Sequence, residues 1–313
     1  MTGWTAGEKH LIAATAVLAP SVHNTQPWVL EFHDTHVSLY ERLDRALPHH
    51  DPLGRDRLIS CGAALEHVVS AMRVLGWAPE IELRHDRVHP DEIARITAPG
   101  RTEPSDLDRR RQRAISARRS HREPFAPWPV EDRLRREVLG THTVDGVGLR
   151  AVTGPEETAA LARLLNHSAL VLRADRAYQR ELTAWTAPVP QPLPGAGVSS
   201  ATRRVSTLPW AGLVPRTTAV PDVGFLADRL SREFLVLVET PDDGRYDHVR
   251  AGMAAEQVWL TAVAGLAGSL LTQPFQLREV RAGLVESLVL GGFPQLLLRF
   301  GHLSGGNDHD ARQ

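Results

Sequence analysis

Apolar and polar positions alternate along this chain in patterns that name most of its elements. From Leu58 to Trp77, Ile59, Ala63, Leu65, Val69, Met72 and Leu75 recur at steps of three and four, and Gly76 stops the run. That spacing lines one face of a long buried helix. Glu8 to Leu18 is rich in alanine and leucine and ends at Pro20, predicting an opening helix. Trp28–Phe32 and Val37–Tyr40 read as two strands around a His33-Asp34-Thr35 turn, and Ile81–Leu83 as a third. Pro90-Asp-Glu-Ile predicts the start of a short helix, and Pro99-Gly100 with Pro104-Ser105 a linker.

Beyond that linker the rhythm returns. Helices are predicted over Asp106–Ala117, Val130–Leu139 behind Pro129, Pro155–Leu172 and Arg176–Trp185. Val147–Val152, Glu233–Glu239 and Pro294–Phe300 read as strands, and Val249–Leu271, apolar on most faces, as the longest helix. Ala187–Val220 is crowded with proline, glycine, serine and threonine and fits no regular element, so 187–220 is the candidate lid. Each half thus holds helix, strand, long buried helix and strand, without βαβ alternation. The expected fold is α+β, a mixed sheet flanked by helices and built twice, with halves at 1–104 and 105–313.

Composition narrows the function classes. At 313 residues, 42% of them hydrophobic, the chain can bury two substantial cores. Its formal charge of −1 argues against a surface built for nucleic acid or anionic membrane. A single cysteine, Cys61, excludes an intramolecular disulfide and a cysteine zinc cage. No apolar run is long enough to span a bilayer, and Leu11–Ala19 ends at Pro20 with Glu8 and Lys9 ahead of it, so a cytoplasmic protein is expected. Lys9 is the sole lysine, which leaves arginine to carry the positive charge.

Two segments stand out chemically. Ala19-Pro-Ser-Val-His-Asn-Thr-Gln-Pro-Trp28 joins a helix to a strand, is stiffened by two prolines, and presents Ser21, Asn24 and Gln26 in a preset geometry. Arg118-Arg-Ser-His-Arg122 gathers three guanidiniums and a hydroxyl, a cradle suited to phosphate.

Together with Ser60-Cys-Gly-Ala-Ala64, Leu271-Thr-Gln-Pro274 and Gly291-Gly-Phe-Pro-Gln295, these segments resemble the FMN-dependent nitroreductase family. Their order resembles its Acg-type branch, in which two nitroreductase-like halves are fused. The resemblance implies an internally duplicated, single-chain pseudo-dimer with one FMN site. It implies that Arg118, Arg119, Ser120 and Arg122 hold the phosphate and ribityl chain, while Pro20, Ser21, Val22 and Asn24 approach the flavin ring. Thr272 and Gln273 align with the segment whose backbone donates towards flavin N5. The family has an acid-glycine pair where Gln273-Pro274 stands, which puts the N5 contact in question. The implied activity is hydride transfer between NAD(P)H and an electron-poor or biosynthetic small molecule, in a monomer or weak homodimer. The alternative is an FMN-sequestering protein whose lid, carrying Arg203, Arg204 and Trp210, covers the ring.

Plainer roles are expected elsewhere. Arg109, Arg110, Arg111 and Arg113 fit a solvated helix face. His33 with His36, and His49 with His50 and Asp51, read as surface loops, since no further ligands follow at metal-binding spacing. Cys61 reads as a small core residue, and no residue is singled out as catalytic.

Overall fold

Local sequence sets the first boundaries. In the computed structural model, which describes residues 3–85, 87–141, 143–186 and 214–304, Thr5 Oγ1 accepts the Glu8 N–H at 3.2 Å. The Glu8 carboxylate takes the Thr5 N–H in return at 2.9 Å. This capping box opens α1 at Ala6–Ala16. Ser105 and Asp108 repeat the device at the head of the helix Asp106–Ala117.

In chain order the elements are α1, β1 (Trp28–Phe32), β2 (His36–Glu41), α2 (Arg55–Val74), β3 (Trp77–Leu83), β4 (Glu92–Arg101), α3 (Asp106–Ala117), α4 (Asp132–Leu139) and β5 (Gly148–Val152). There follow α5 (Gly154–Ala174), α6 (Arg176–Thr186), α7 (Val223–Ser231), β6 (Phe234–Thr240), α8 (Arg245–Ala262), β7 (Ala267–Leu271), α9 (Arg278–Leu288) and β8 (Phe293–Gly301). The strands form two four-stranded sheets, ordered β1-β2-β4-β3 and β5-β6-β8-β7. The fold is α+β. Among the described residues every ladder is antiparallel, and the parallel component expected of a mixed sheet is confined to an isolated bridge between Ser120 and Gly268.

α2 covers the first sheet, with Leu65, Val68 and Met72 packed against Val37, Leu39, Ile93 and Ile96. α8 does the same for the second, joining Val258 and Trp259 to Phe234, Val236, Leu298 and Phe300. These two helices then cross each other at glycine. A Cβ on Gly62 would lie 2.1 Å from the Val249 carbonyl oxygen, and one on Gly252 would lie 2.0 Å from that of Ile59. The backbones meet directly, so only glycine fits at either point. Polar rungs cross the same interface. Gln257 Nε2 donates to Glu66 at 2.8 Å, and His67 Nε2 lies 2.8 Å from Glu256.

The structure revises several sequence expectations. Pro90-Asp-Glu-Ile does not begin a helix but leads into β4, which runs through the supposed linker at Pro99-Gly100. Pro99 is tolerated because the pairing with β3 slips between Ala78 and Glu80, and β2 pairs only as far as Thr97. Val249–Leu271 is two elements. α8 closes at Ala262 and β7 begins at Ala267, since an unbroken apolar run serves a buried helix and a buried strand equally. α7 and α9 went unpredicted, and Arg111, expected in solvent, is 3% exposed and donates to the Thr141 carbonyl at 2.9 Å. Most of the candidate lid, 187–213 with Arg203, Arg204 and Trp210, lies outside the described residues. Its end does not. Val214 packs into a small core with Leu172, Tyr178 and Leu182, and its carbonyl accepts from Gln179 at 2.6 Å.

Candidate functional site

The loop between α1 and β1 is held in an unusual backbone conformation. His23, Asn24 and Gln26 all have positive φ, at 50°, 53° and 48°. Left-handed backbone at a non-glycine residue costs on the order of 1 kcal/mol or more, so three in four residues require strong external anchors. The Gln26 N–H donates to Ser21 Oγ at 3.0 Å, its side chain to the Val17 carbonyl at 3.2 Å, and the Cys61 thiol lies 3.2 Å from the Pro27 carbonyl. Cys61 is therefore a buried anchor of this loop, and burial pushes its thiol pKa up.

The Arg-Ser segment is placed by the free edge of β7. Ser120 bridges to Gly268, and the His121 N–H donates to the Gly268 carbonyl at 2.8 Å. A side chain at Gly268 would strike Phe300 and approach Trp259 Nε1 to 3.0 Å, so this edge stays bare.

Between the two segments lies a cleft of about 100 Å³, partly open to solvent. Pro20, Ser21, Val22 and His23 form one wall, and Ile59, Ser60 and Ala63 of α2 with Gly252 and Trp259 of α8 form its floor. Ser120, Arg122, Leu270, Thr272, Gln273 and His50 complete the lining. A second groove shares Ser120 and Trp259 as walls and adds Arg119, His121 and His302.

Seven of the ten sequence-predicted site residues thus line one cleft: Pro20, Ser21, Val22, Ser120, Arg122, Thr272 and Gln273. Arg119 borders the adjoining groove, where its guanidinium donates to the Ser116 and Arg118 carbonyls. Asn24 lines a separate groove with Gln26, Arg42 and Arg45. Arg118 is buried behind the cleft, with Nε 3.3 Å from Glu256, Nη2 donating to the Leu18 carbonyl at 3.0 Å, and its guanidinium 4.6 Å above Trp259. Its charge already has a partner.

His50 and Asp51, expected on a surface loop, are 3% and 4% exposed. Their environment is a polar cluster that joins distant parts of the chain. His50 Nε2 lies 3.2 Å from Asp56 Oδ2, and Thr272 Oγ1 donates to the same oxygen at 2.6 Å. The backbone N–H groups of His49 and His50 donate to Glu181 of α6 at 3.2 and 2.7 Å. The His23 ring meets His50 edge-on at 5.2 Å and stacks on Trp185 at 6.4 Å. Burial, helped by His50 and Arg122, holds His23 well below the ordinary imidazole pKa, so it is neutral. Burial and the Asp56 charge raise Asp51 to about 6, and burial also lowers the Arg122 guanidinium.

Four buried polar atoms around the cleft have no hydrogen-bond partner: His23 Nε2, His50 Nδ1, Trp259 Nε1 and Gln273 Nε2. Each such group costs about 1–3 kcal/mol unless a ligand or water satisfies it. This set of donors and acceptors fits a planar ligand with several polar edge atoms, bound against the apolar side chains of Ile59, Ala63 and Leu270. His23 was legible only as an unassigned position inside the Pro-Ser loop, and Asp56 and Trp259 carried no sequence signal of their own.

No family model matches the chain. Over 297 residues it is 33% identical to the "Putative NAD(P)H nitroreductase Rv3131" of Mycobacterium tuberculosis, covering 93% of this chain and 83% of that one. Over 293 residues it is 30% identical to the "Putative NAD(P)H nitroreductase acg" of the same organism, covering 91% and 86%. Among solved structures, the nitroreductase with bound FMN from Bacteroides fragilis aligns at a TM-score of 0.40 and 14% identity, over 65% of this chain and 91% of that one. The chain belongs to the nitroreductase family.

Proposed function

We propose that this chain binds FMN in the cleft and works as an oxidoreductase, exchanging a hydride between NADH or NADPH and a small organic substrate. The observation that carries this reading is the pair of buried, unpartnered donors, Gln273 Nε2 and Trp259 Nε1, in a cleft bordered by Ser120 and Arg122. When bound, FMN supplies two-electron hydride chemistry that no side chain provides. Ser120, Arg122 and Arg119 would hold the phosphate and ribityl chain, with Arg118 fixing the segment from behind through Glu256. Pro20, Ser21 and Val22 would pack along the ring, where the strained loop offers a rigid surface at little ordering cost. Asn24 would support that loop from its far side, where it shares a hydrogen bond with Gln26. Gln273 carries an amide N–H where the family has an acidic side chain, so its unpartnered Nε2 would donate to a ring acceptor when FMN is bound.

We further infer that the chain is built of two related halves, 1–104 and 105–313, meeting across α2 and α8. Matching strand orders in the two sheets and the reciprocal glycine crossing support this. Such a chain completes the site without a second copy and acts as a monomer or weak homodimer. No helix among the described residues is long and apolar enough to cross a membrane. A buried, unpaired Cys61 suits the reducing cytoplasm, where we place the protein.

The absorbance spectrum of the purified protein tests this reading. Flavin bands, with FMN released on denaturation and bleaching by NADH or NADPH without oxygen, are the expected result. Arg122→Ala should lower FMN occupancy at least tenfold with the apoprotein fold intact. A colourless protein that takes up no added FMN would overturn the reading. A yellow protein that neither nicotinamide bleaches would favour sequestration over turnover.

A further inference from the structure

We propose that His50 is the acid–base residue of this site, oriented by Asp56 and Thr272. The inference rests on the flavin reading above and adds the residue that moves the proton. A carboxylate only accepts hydrogen bonds, so Asp56 Oδ2, 3.2 Å from His50 Nε2, fixes the imidazole proton on Nε2. The lone pair then sits on Nδ1, which is buried and lacks a partner, on a residue that lines the cleft. Asp56 is itself held by the Thr272 hydroxyl at 2.6 Å, and Glu181 clamps the His50 backbone from α6. A ring oriented by a carboxylate that is itself held, on a backbone clamped from a second helix and with one nitrogen left for a visitor, has the arrangement of a preorganised general acid–base.

The reaction needs such a group. When a quinone receives a hydride it also receives negative charge, which is discharged by one proton: quinone plus H⁻ plus H⁺ gives hydroquinone. Protonated His50 gives that proton from Nδ1 to the developing oxyanion and is recharged from solvent. In the opposite direction neutral His50 accepts the proton of a substrate O–H or N–H as the adjacent hydride leaves. His23 does not fill the role. Its buried ring is neutral and has no carboxylate partner to sustain a charge. The titratable groups facing His50 are Asp56 from α2, Asp51 on its own loop, Tyr178 and Glu181 from α6, and His23 from the Pro-Ser loop. Among the described residues no three His, Cys, Asp or Glu side chains form a metal cage, so this cluster is not read as one.

Two measurements on the full chain test the inference. The ¹⁵N shifts of labelled histidine should show His50 protonated at Nε2, with Asp56→Asn redistributing the proton towards Nδ1. A neutral His50 carrying its single proton on Nδ1 in the wild type would overturn the proposal, whether or not FMN is bound. In the NADH- or NADPH-reduced holoprotein, 1,4-benzoquinone needs a proton and ferricyanide does not. His50→Gln should lower the ratio of quinone to ferricyanide reduction about 100-fold and remove the pH limb of the quinone reaction. An unchanged ratio in yellow, reducible protein overturns the acid–base role alone, whereas colourless protein overturns the flavin reading and this one with it.

Discussion

Arg118→Ala separates an arginine that binds ligand from one that holds the fold. The guanidinium is 3.3 Å from Glu256, whose side chain is 0% exposed and whose other neighbour is His67 at 2.8 Å. At an effective dielectric of about 20, opposite charges at this separation attract by about 5 kcal/mol. Removing one member of a buried pair exposes the desolvation penalty of the other, and such losses run to about 3–5 kcal/mol. The variant also loses the hydrogen bond to the Leu18 carbonyl and the packing over Trp259. FMN-free Arg118→Ala protein should therefore be less stable by about 3 kcal/mol or more in urea unfolding. Adding Glu256→Gln removes the stranded charge and should return at least about 1 kcal/mol. The reasoning is refuted if the apoprotein stays within about 0.5 kcal/mol of wild type while FMN binding is lost, because Arg118 would then be a direct phosphate ligand.

Two further outcomes follow from the packing and the charge pattern. Gly62→Ala should destabilise by about 2 kcal/mol net, since a 2.1 Å approach to the Val249 carbonyl forces α2 and α8 apart, outweighing about 1 kcal/mol gained in helix propensity. Gly7→Ala, in α1 with open space around it, is the control and should be neutral or stabilising; equal melting temperatures for the two variants would contradict the crossing. Asp51 has its pKa raised from 3.8 to about 6, so the folded state gains stability from its protonation as pH falls through about 6 and loses it as pH rises. Removing that charge with Asp51→Asn should stabilise the protein near pH 8 by up to about 3 kcal/mol, the gap closing towards pH 4. Parallel melting curves of the two proteins across that range would exclude a buried ionisation at this position.

Much of the fold is legible in sequence because its signals are local. The three- and four-residue spacing through Leu58–Leu75 marks α2, and the Trp28–Phe32 and Val37–Tyr40 alternation marks the first hairpin. Proline fixes φ and glycine admits the left-handed backbone that other residues avoid, so Pro20, Gly76 (φ 80°) and the capped start at Ser105 fall at real boundaries. Where an apolar run is unbroken the signal fails. Val249–Leu271 divides into α8 and β7 because the end of the run, Ala267–Leu271, finds β8 as a hydrogen-bonding partner, which no local pattern encodes.

The site follows the same division. Sequence singled out the residue types proposed to meet ligand, since Pro20–Val22 and Ser120–Arg122 carry rigid polar geometry and phosphate-binding chemistry in themselves. Only tertiary structure decided that Arg118 faces Glu256 while Arg122 faces the cleft, although the two stand in one short segment. It also buried His50 and Asp51, which read as surface, while the neighbouring His49 stays exposed. Asp56, Glu181 and Thr272 reach the cluster around them from three separate elements, and desolvation makes each of those contacts matter. Periodicity and backbone restriction act over a few residues, whereas the partner of a buried charge is fixed by whatever the folded chain brings within a few ångströms of it.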